Sequence, residues 1–330
     1  MATCPGIELT GQLLPVNHQN AFPLVYRPHR QDGGGPQVDT DPVVQIRRLA
    51  MWDNNSEKLV QTNHPDLQQI YGDRDLDGKP DGGFREMLEV MDVVEVHPPA
   101  DILRDVKAPR TGRGDRRALH RWLQLLNLGY RIPGVVNTDA HYTFHGSGWL
   151  RNYLACSTDD PAQIDPMEIV ATSKKGDIIM STGPYMSVEA VAGDNEKAKA
   201  TPGGDLKAPG GKVHLRVRVQ CPNWLDVNRV QVFINGRAAP KLNFTRRAGS
   251  SGFGDGVVKF EAEIPVELEG DAHLIVAAAG EGLNMVKVMG PQYGKNIPIA
   301  VSNPIFVDVD GGGFRPNGDL LGIPLIGADR

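Results

Sequence analysis

Ile132-Pro133-Gly134-Val135-Val136-Asn137-Thr138-Asp139-Ala140-His141 passes from an apolar run into a polar cluster near the middle of the chain. In an extended strand alternate side chains share a face, so Asn137, Asp139 and His141 are expected to point the same way. A buried strand ending in a carboxylate and an imidazole two residues apart is costly unless something compensates. A metal ion is the usual compensator. Two upstream stretches end in the same manner: Lys58-Leu59-Val60-Gln61-Thr62-Asn63-His64-Pro65, and Gly6-Ile7-Glu8-Leu9-Thr10 with His18 beyond it. Together they predict a metal-dependent hydrolase built on strand ends.

Bulk properties narrow the classes. The chain has 330 residues, enough for two domains with proper cores, and 40% hydrophobic with 23% charged residues is ordinary globular composition. A net charge of −5 argues against nucleic acid as the main partner, since neutralising phosphates needs a basic face. The one basic stretch, from Arg104 through Lys107, Arg110, Arg113, Arg116 and Arg117 to Arg121, reads as a solvated loop and helix start. Its functional alternative is a rim that attracts an anionic substrate. The three cysteines, Cys4, Cys156 and Cys221, fit neither a disulfide framework nor a zinc-knuckle spacing. No apolar run approaches the roughly 20 residues of a membrane span. The first residues carry no basic segment followed by an apolar one, so no signal peptide is expected in this chain. The abrupt entry into a strand suggests a start inside a larger domain, whose full-length form would be free to carry an export signal.

Residues 1–192 alternate strand and helix patterns. Strands are expected over 6–10, 58–64, 92–97, 133–139 and 178–190, and helices over 43–53, 83–91, 116–128 and 167–175. Asp41-Pro42 and Asp165-Pro166 are N-cap and first-turn pairs, and Gly129 and Gly176 stand where helix ends need a left-handed residue. Such alternation implies a parallel sheet, open or closed into a barrel, with its polar residues at the C-terminal strand ends. Residues 193–211 read as a linker or loop. Residues 212–330 carry short alternating segments and an Asn235-Gly236 turn, the pattern of an immunoglobulin-like β-sandwich.

Glu8, His18, His64, Asp139 and His141 are the candidate metal ligands, because neutral imidazole and carboxylate suit Zn, Mn and Fe. Glu95 and His97 share a face of their strand. Glu95 is a candidate ligand, orienter or general base, and His97 ranks lower because Pro98-Pro99 follows it. Asp139 and Glu95 are the candidate catalytic residues. His145 reads as a loop residue. Asp73, Asp75, Asp77 and Asp81, with Gly78 at the sixth position, resemble the first half of a calcium loop. Phe84 stands where such a loop needs its closing Glu, so an acidic turn without metal is the competing reading. No Gly-x-Ser-x-Gly elbow is present.

The order and spacing of Gly6-Ile7-Glu8, Asn17-His18-Gln19, Asn63-His64-Pro65 and Asn137-Thr138-Asp139-Ala140-His141 resemble the later motifs of the PHP (polymerase and histidinol phosphatase) superfamily. The Glu95 strand, Asn152-Tyr153 and Ser181-Thr182-Gly183-Pro184 before a β-sandwich resemble its branch named after carbaryl hydrolase. The resemblance implies a distorted (β/α)7 barrel whose rim holds two or three Zn, Mn or Fe ions, with Glu8, His18, His64, Asp139 and His141 at ligand positions. It implies metal-activated water attacking a phosphoester, or a carbamate, ester or amide, of a small anionic or ester substrate. The superfamily's opening His-x-His and Asp-His motifs are absent before Glu8. The expected barrel is therefore a partial one, an incomplete arc with about half its ligands. The alternative function is a non-catalytic protein that binds a ligand or carbohydrate through the retained rim or the sandwich.

Overall fold

Asp41 begins the first helix as its sequence dictates: its carboxylate accepts hydrogen bonds from the amides of Val43 and Val44, and Pro42 occupies the first turn. Asp165 does the same for a later helix, which Gly176 ends at φ +86°. The computed structural model describes residues 5–9, 18–25, 27, 34–107, 117–141, 148–193 and 195–328. Strands β1 (Ile7–Leu9), β2 (Gln19–Phe22) and β3 (Leu59–Thr62) pair antiparallel. β4 (Val93–Glu95) and β5 (Gly134–Val135) continue the same sheet in parallel, in the order β1-β2-β3-β4-β5. Helices α1 (Pro42–Asn55), α2 (Leu67–Tyr71) and α3 (Ala118–Asn127) lie between these strands, and Arg85–Glu89, expected within an α-helix, is a 3₁₀ helix.

The chain then runs through β6 (Arg151–Leu154), α4 (Pro166–Lys175), β7 (Ile178–Ser181), β8 (Tyr185–Ala192), β9 (Asn195–Ala200), β10 (Asp205–Lys207) and β11 (Lys212–Gln220). It finishes with β12 (Arg229–Ile234), β13 (Arg237–Thr245), β14 (Val258–Glu267), β15 (Ala272–Ala279), α5 (Val286–Tyr293), β16 (Ile299–Ser302) and β17 (Ile305–Asp308). A four-stranded antiparallel sheet runs β14-β11-β8-β9. An eight-stranded sheet runs β10-β17-β15-β16-β7-β6, with the β12–β13 hairpin attached to β15. The stretch 193–211 thus contributes two strands, β9 and β10. The expected single strand over 178–190 is two strands, because Thr182-Gly183-Pro184 turns the chain from one sheet into the other.

Among the described residues the (β/α)7 barrel expected from the resemblance is not formed. Three open sheets stand in its place there, and only β3, β4 and β5 run parallel in the first of them. The edge of β5 shows why. Pro133 and Val135 carbonyls accept from Val94 and Val96 of the β4 side, which leaves Gly134 and Val136 facing outward. A barrel would place its next parallel strand there. Asn303 instead accepts from the Gly134 amide at 2.8 Å and donates to its carbonyl at 2.9 Å. Asn152 accepts from the Val136 amide at 3.0 Å and donates to its carbonyl at 2.9 Å. Two side-chain amides close the edge that a strand would have extended, so its backbone groups are satisfied without further pairing.

β6 and β7, which a barrel would have used, pair antiparallel with each other, and β7 with β16. One hydrophobic cluster accordingly runs from Ile46 and Val94 through Trp122 and Met180 to Val217, Phe260 and Val301. Helix α3 is buried from Leu119 to Asn127, since it is covered on all sides.

Candidate metal centre

Glu95 is at the root of the site. It ends β4 with no exposed surface, and its Oε2 accepts from both the backbone amide and the ring Nδ1 of His64, each at 2.7 Å. His64 follows β3 at φ +43°, an uncommon conformation for a side chain of its size, and the double contact with Glu95 holds it there. Its other nitrogen, Nε2, is thereby turned toward Asp139, 3.6 Å from Oδ2. The hydrogen bond to Glu95 raises the His64 pKa against the opposing effect of burial. Burial pushes the Glu95 carboxyl up, but its contacts with His64 and the charge of His97 outweigh that, and the net direction is down.

Two further groups join from the antiparallel strands. Glu8 on β1 lies across from Asn20 on β2, and His18 immediately precedes β2, which puts His18 Nδ1 3.3 Å from Glu8 Oε1. Asn63 donates to that same Glu8 oxygen at 2.7 Å and to Asn20 at 2.9 Å, while Gln61 donates to Asn63. A relay of amides therefore aims the Glu8 carboxylate. Three imidazoles line up as His18, His64 and His97, with ring centroids 5.7 and 5.8 Å apart. Glu8, His18 and His64 form one group of ligand atoms within 4.8 Å of one another, and His64, Glu95 and His97 form another.

Asp139 and His141 complete the arrangement by a different route from the expected one. The strand stops at Val135, and Asn137–His141 is irregular, with Asp139 at φ +48°. A shared strand face does not bring these residues together; in the irregular segment, with Asp139 in the left-handed region, His141 Nε2 lies 2.9 Å from Asp139 Oδ1. Of the five expected ligands, Glu8, His64, Asp139 and His141 line one cavity and His18 lies against Glu8, while Asp139 and His141 stay outside the close groups of ligand atoms that Glu8, His18, His64, Glu95 and His97 form. A cavity of about 420 Å³ opens onto Glu8, Asn63, His64, Asp139, His141 and Arg151. Arg151 makes no ion pair among the described residues, and nothing in its local sequence marked it. His145 lies outside the described residues.

One atom tests whether this donor set suits a cation. Glu95 Oε1 is buried without a hydrogen-bond partner, and His97 Nε2 is 3.8 Å away, beyond hydrogen-bond reach. A carboxylate oxygen left bare in the interior is costly, and a cation beside it removes that cost. Imidazoles and carboxylates without thiolate match Zn, Mn or Fe. The residues fit.

The other candidates are placed differently. Asp73, Asp75 and Asp77 bring ligand atoms within 4.8 Å, but these carboxylates accept from the amides of Asp77, Gly78 and Lys79 in their own turn. Asp81 is turned away to the amides of Arg74 and Gly83, and Phe84 is buried under the Arg74 guanidinium. In the basic stretch, Arg104 pairs with Asp101, and Arg121 is buried against Gln68, Gln124 and the Pro324 carbonyl, so neither forms a rim. Arg110, Arg113 and Arg116 lie outside the described residues. No helix among the described residues is long and apolar enough to cross a membrane. Comparison with protein-family models, curated proteins and solved structures brings no match, so the chemistry of the assembled residues carries the functional reading.

Proposed function

We propose that this chain is a metal-dependent hydrolase of the PHP type in its chemistry, with Zn, Mn or Fe held by Glu8, His18, His64, Asp139 and His141. Glu95 and His97 stand behind His64. The observation that carries the reading is that Glu8, His18 and His64 bring their ligand atoms within 4.8 Å of one another, with Glu95 fixing the His64 ring from behind. The order of the Glu8, His64 and Asp139–His141 motifs supports the relationship, which does not extend to a barrel. When bound, such an ion supplies Lewis acidity and a water of lowered pKa to hydrolysis. The chain's own residues do the rest. Glu95 keeps the His64 ring turned toward the cavity, and Asn63 keeps Glu8 facing it. Asp139, in the cavity wall and in contact with His141, is placed to take the proton that water gives up. Arg151 offers a positive charge to a phosphoester or other anionic substrate.

Metal content decides the matter. Purified protein is expected to carry tightly bound Zn, Mn or Fe, approaching two equivalents, by plasma emission spectroscopy. His64→Ala and Asp139→Ala should lose it together with hydrolysis of p-nitrophenyl phosphate or acetate. Wild-type protein that takes up none of the three metals on reconstitution sinks the proposal.

A further inference from the structure

We infer that Asn152 is a positioning residue: its side-chain amide, reaching from β6 of one sheet to Val136 at the end of another, fixes the segment that presents Asp139 and His141. The inference rests on the metal-centre reading above. Strand β5 ends at Val135, and from Asn137 to Ala140 no backbone hydrogen bond to another described backbone group fastens the chain. The segment nevertheless holds Asp139 in a left-handed conformation, which persists only where its surroundings determine it. The last firm attachment before it is the two-bond pairing of Asn152 with the Val136 amide and carbonyl. β6 itself is anchored along its length by β7, with Asn152 opposite Met180 and Arg151 opposite Ser181. The amide thus transmits the position of the eight-stranded sheet to the metal-binding segment.

Asn303 provides an internal control. It makes the same two-bond pairing with Gly134, two residues earlier on the same edge, and adds a contact to the Ile178 carbonyl. Asn303 is fully buried, so its loss strands the backbone groups of Gly134 where water does not reach. Asn152 is half-buried on the cavity wall, so removing its side chain opens the Val136 edge, itself buried, to cavity water that can replace the lost bonds. Removing Asn303 therefore reads out in stability, and removing Asn152 reads out in order and ligand placement.

The test compares wild type with Asn152→Ala, Asn152→Asp and Asn303→Ala by denaturation midpoint, Zn²⁺ affinity, and ¹⁵N backbone order parameters of metal-free protein. Asn152→Ala is expected to keep a midpoint near wild type. Its order parameters at Asn137–Ala140 should fall from rigid values toward about 0.6 or below, and Zn²⁺ should bind about 10- to 100-fold more weakly. Asn152→Asp should behave alike, because an oxygen replaces the donor facing the Val136 carbonyl. Asn303→Ala should lower the midpoint while leaving the Zn²⁺ affinity of folded protein within about twofold, since Gly134 pairs with Val94 and does not line the cavity that Glu8, His64, Asp139 and His141 face. Unchanged order and affinity in Asn152→Ala overturn the inference, as does a matching loss of affinity in Asn303→Ala. Failure of wild type to bind Zn²⁺, Mn²⁺ or Fe²⁺ overturns the metal-centre reading instead, and the order parameters alone then judge Asn152.

Discussion

A carboxylate with no exposed surface, such as Glu95, is tolerable only when both oxygens are satisfied. His64 satisfies one of them. Glu95→Gln keeps the shape and removes the charge, so Zn²⁺ affinity is expected to fall about 10- to 100-fold by calorimetric titration, the usual effect of losing a residue that orients a ligand. His273, by contrast, is a histidine of the core. It is fully buried on β15, hydrogen-bonds Asn127 at 2.9 Å, and burial lowers its pKa to about 3. The unfolded chain, with an ordinary histidine pKa near 6.5, binds a proton that the folded state refuses. Stability is therefore expected to fall as pH drops below about 6.5, by up to about 1.4 kcal/mol per unit from this group. Urea midpoints of His273→Gln should decline less steeply than wild type between pH 6.5 and 4. At this scale the sequence was informative, because the chemistry of an imidazole or carboxylate is local. His273 stands alone among the sandwich strands, without the strand-end carboxylates that mark His64, but its burial and its Asn127 partner are set by distant chain.

At the scale of elements, caps and turns were legible and pairing partners were not. Asp41-Pro42, Asp165-Pro166 and Gly176 act within a few residues, and their elements formed as their patterns demand. β2 was missed because its four residues, Gln19–Phe22, show no apolar alternation; β1 and β3 on either side create it. β5 was overextended because Asn137, Asp139 and His141 alternate in sequence although the strand has already ended. Gly134 within β5 shows how tight that element is. A Cβ there would stand 2.9 Å from Val96 Cγ2 and 3.0 Å from the Trp122 ring, which is itself held by a hydrogen bond to Ile132. Gly134→Ala is expected to cost about 1–3 kcal/mol by overpacking, measured by denaturant titration.

Across the whole molecule, the C-terminal segment returns to the first sheet's helices. Arg121, Gln124 and Asn127, three residues apart along α3, donate to carbonyls of Pro324, Leu320, Ile323 and Asp319. Leu321, Ile323 and Leu325 of this segment are buried. Deleting residues 316–330 is expected to lower stability by roughly 5 kcal/mol, from three lost aliphatic burials at about 1.5–3 kcal/mol each. A denaturation midpoint within error of wild type would refute that. The contacts span about two hundred residues of chain, and no local pattern announces them.

The sequence by itself determined that imidazoles and carboxylates stand at Glu8, His18, His64, Asp139 and His141, and it set the helix boundaries at capping residues. Each of these depends on residue type and near neighbours. Tertiary structure alone decided that the first sheet stays open, because Asn152 and Asn303 satisfy an edge that a barrel would have extended. It also decided that Glu95 and His97 stand behind His64 and that Arg151 faces the cavity. Those outcomes depend on which backbone groups meet across distant chain, and a hydrogen-bond edge can be satisfied by a strand or by a side-chain amide with equal success.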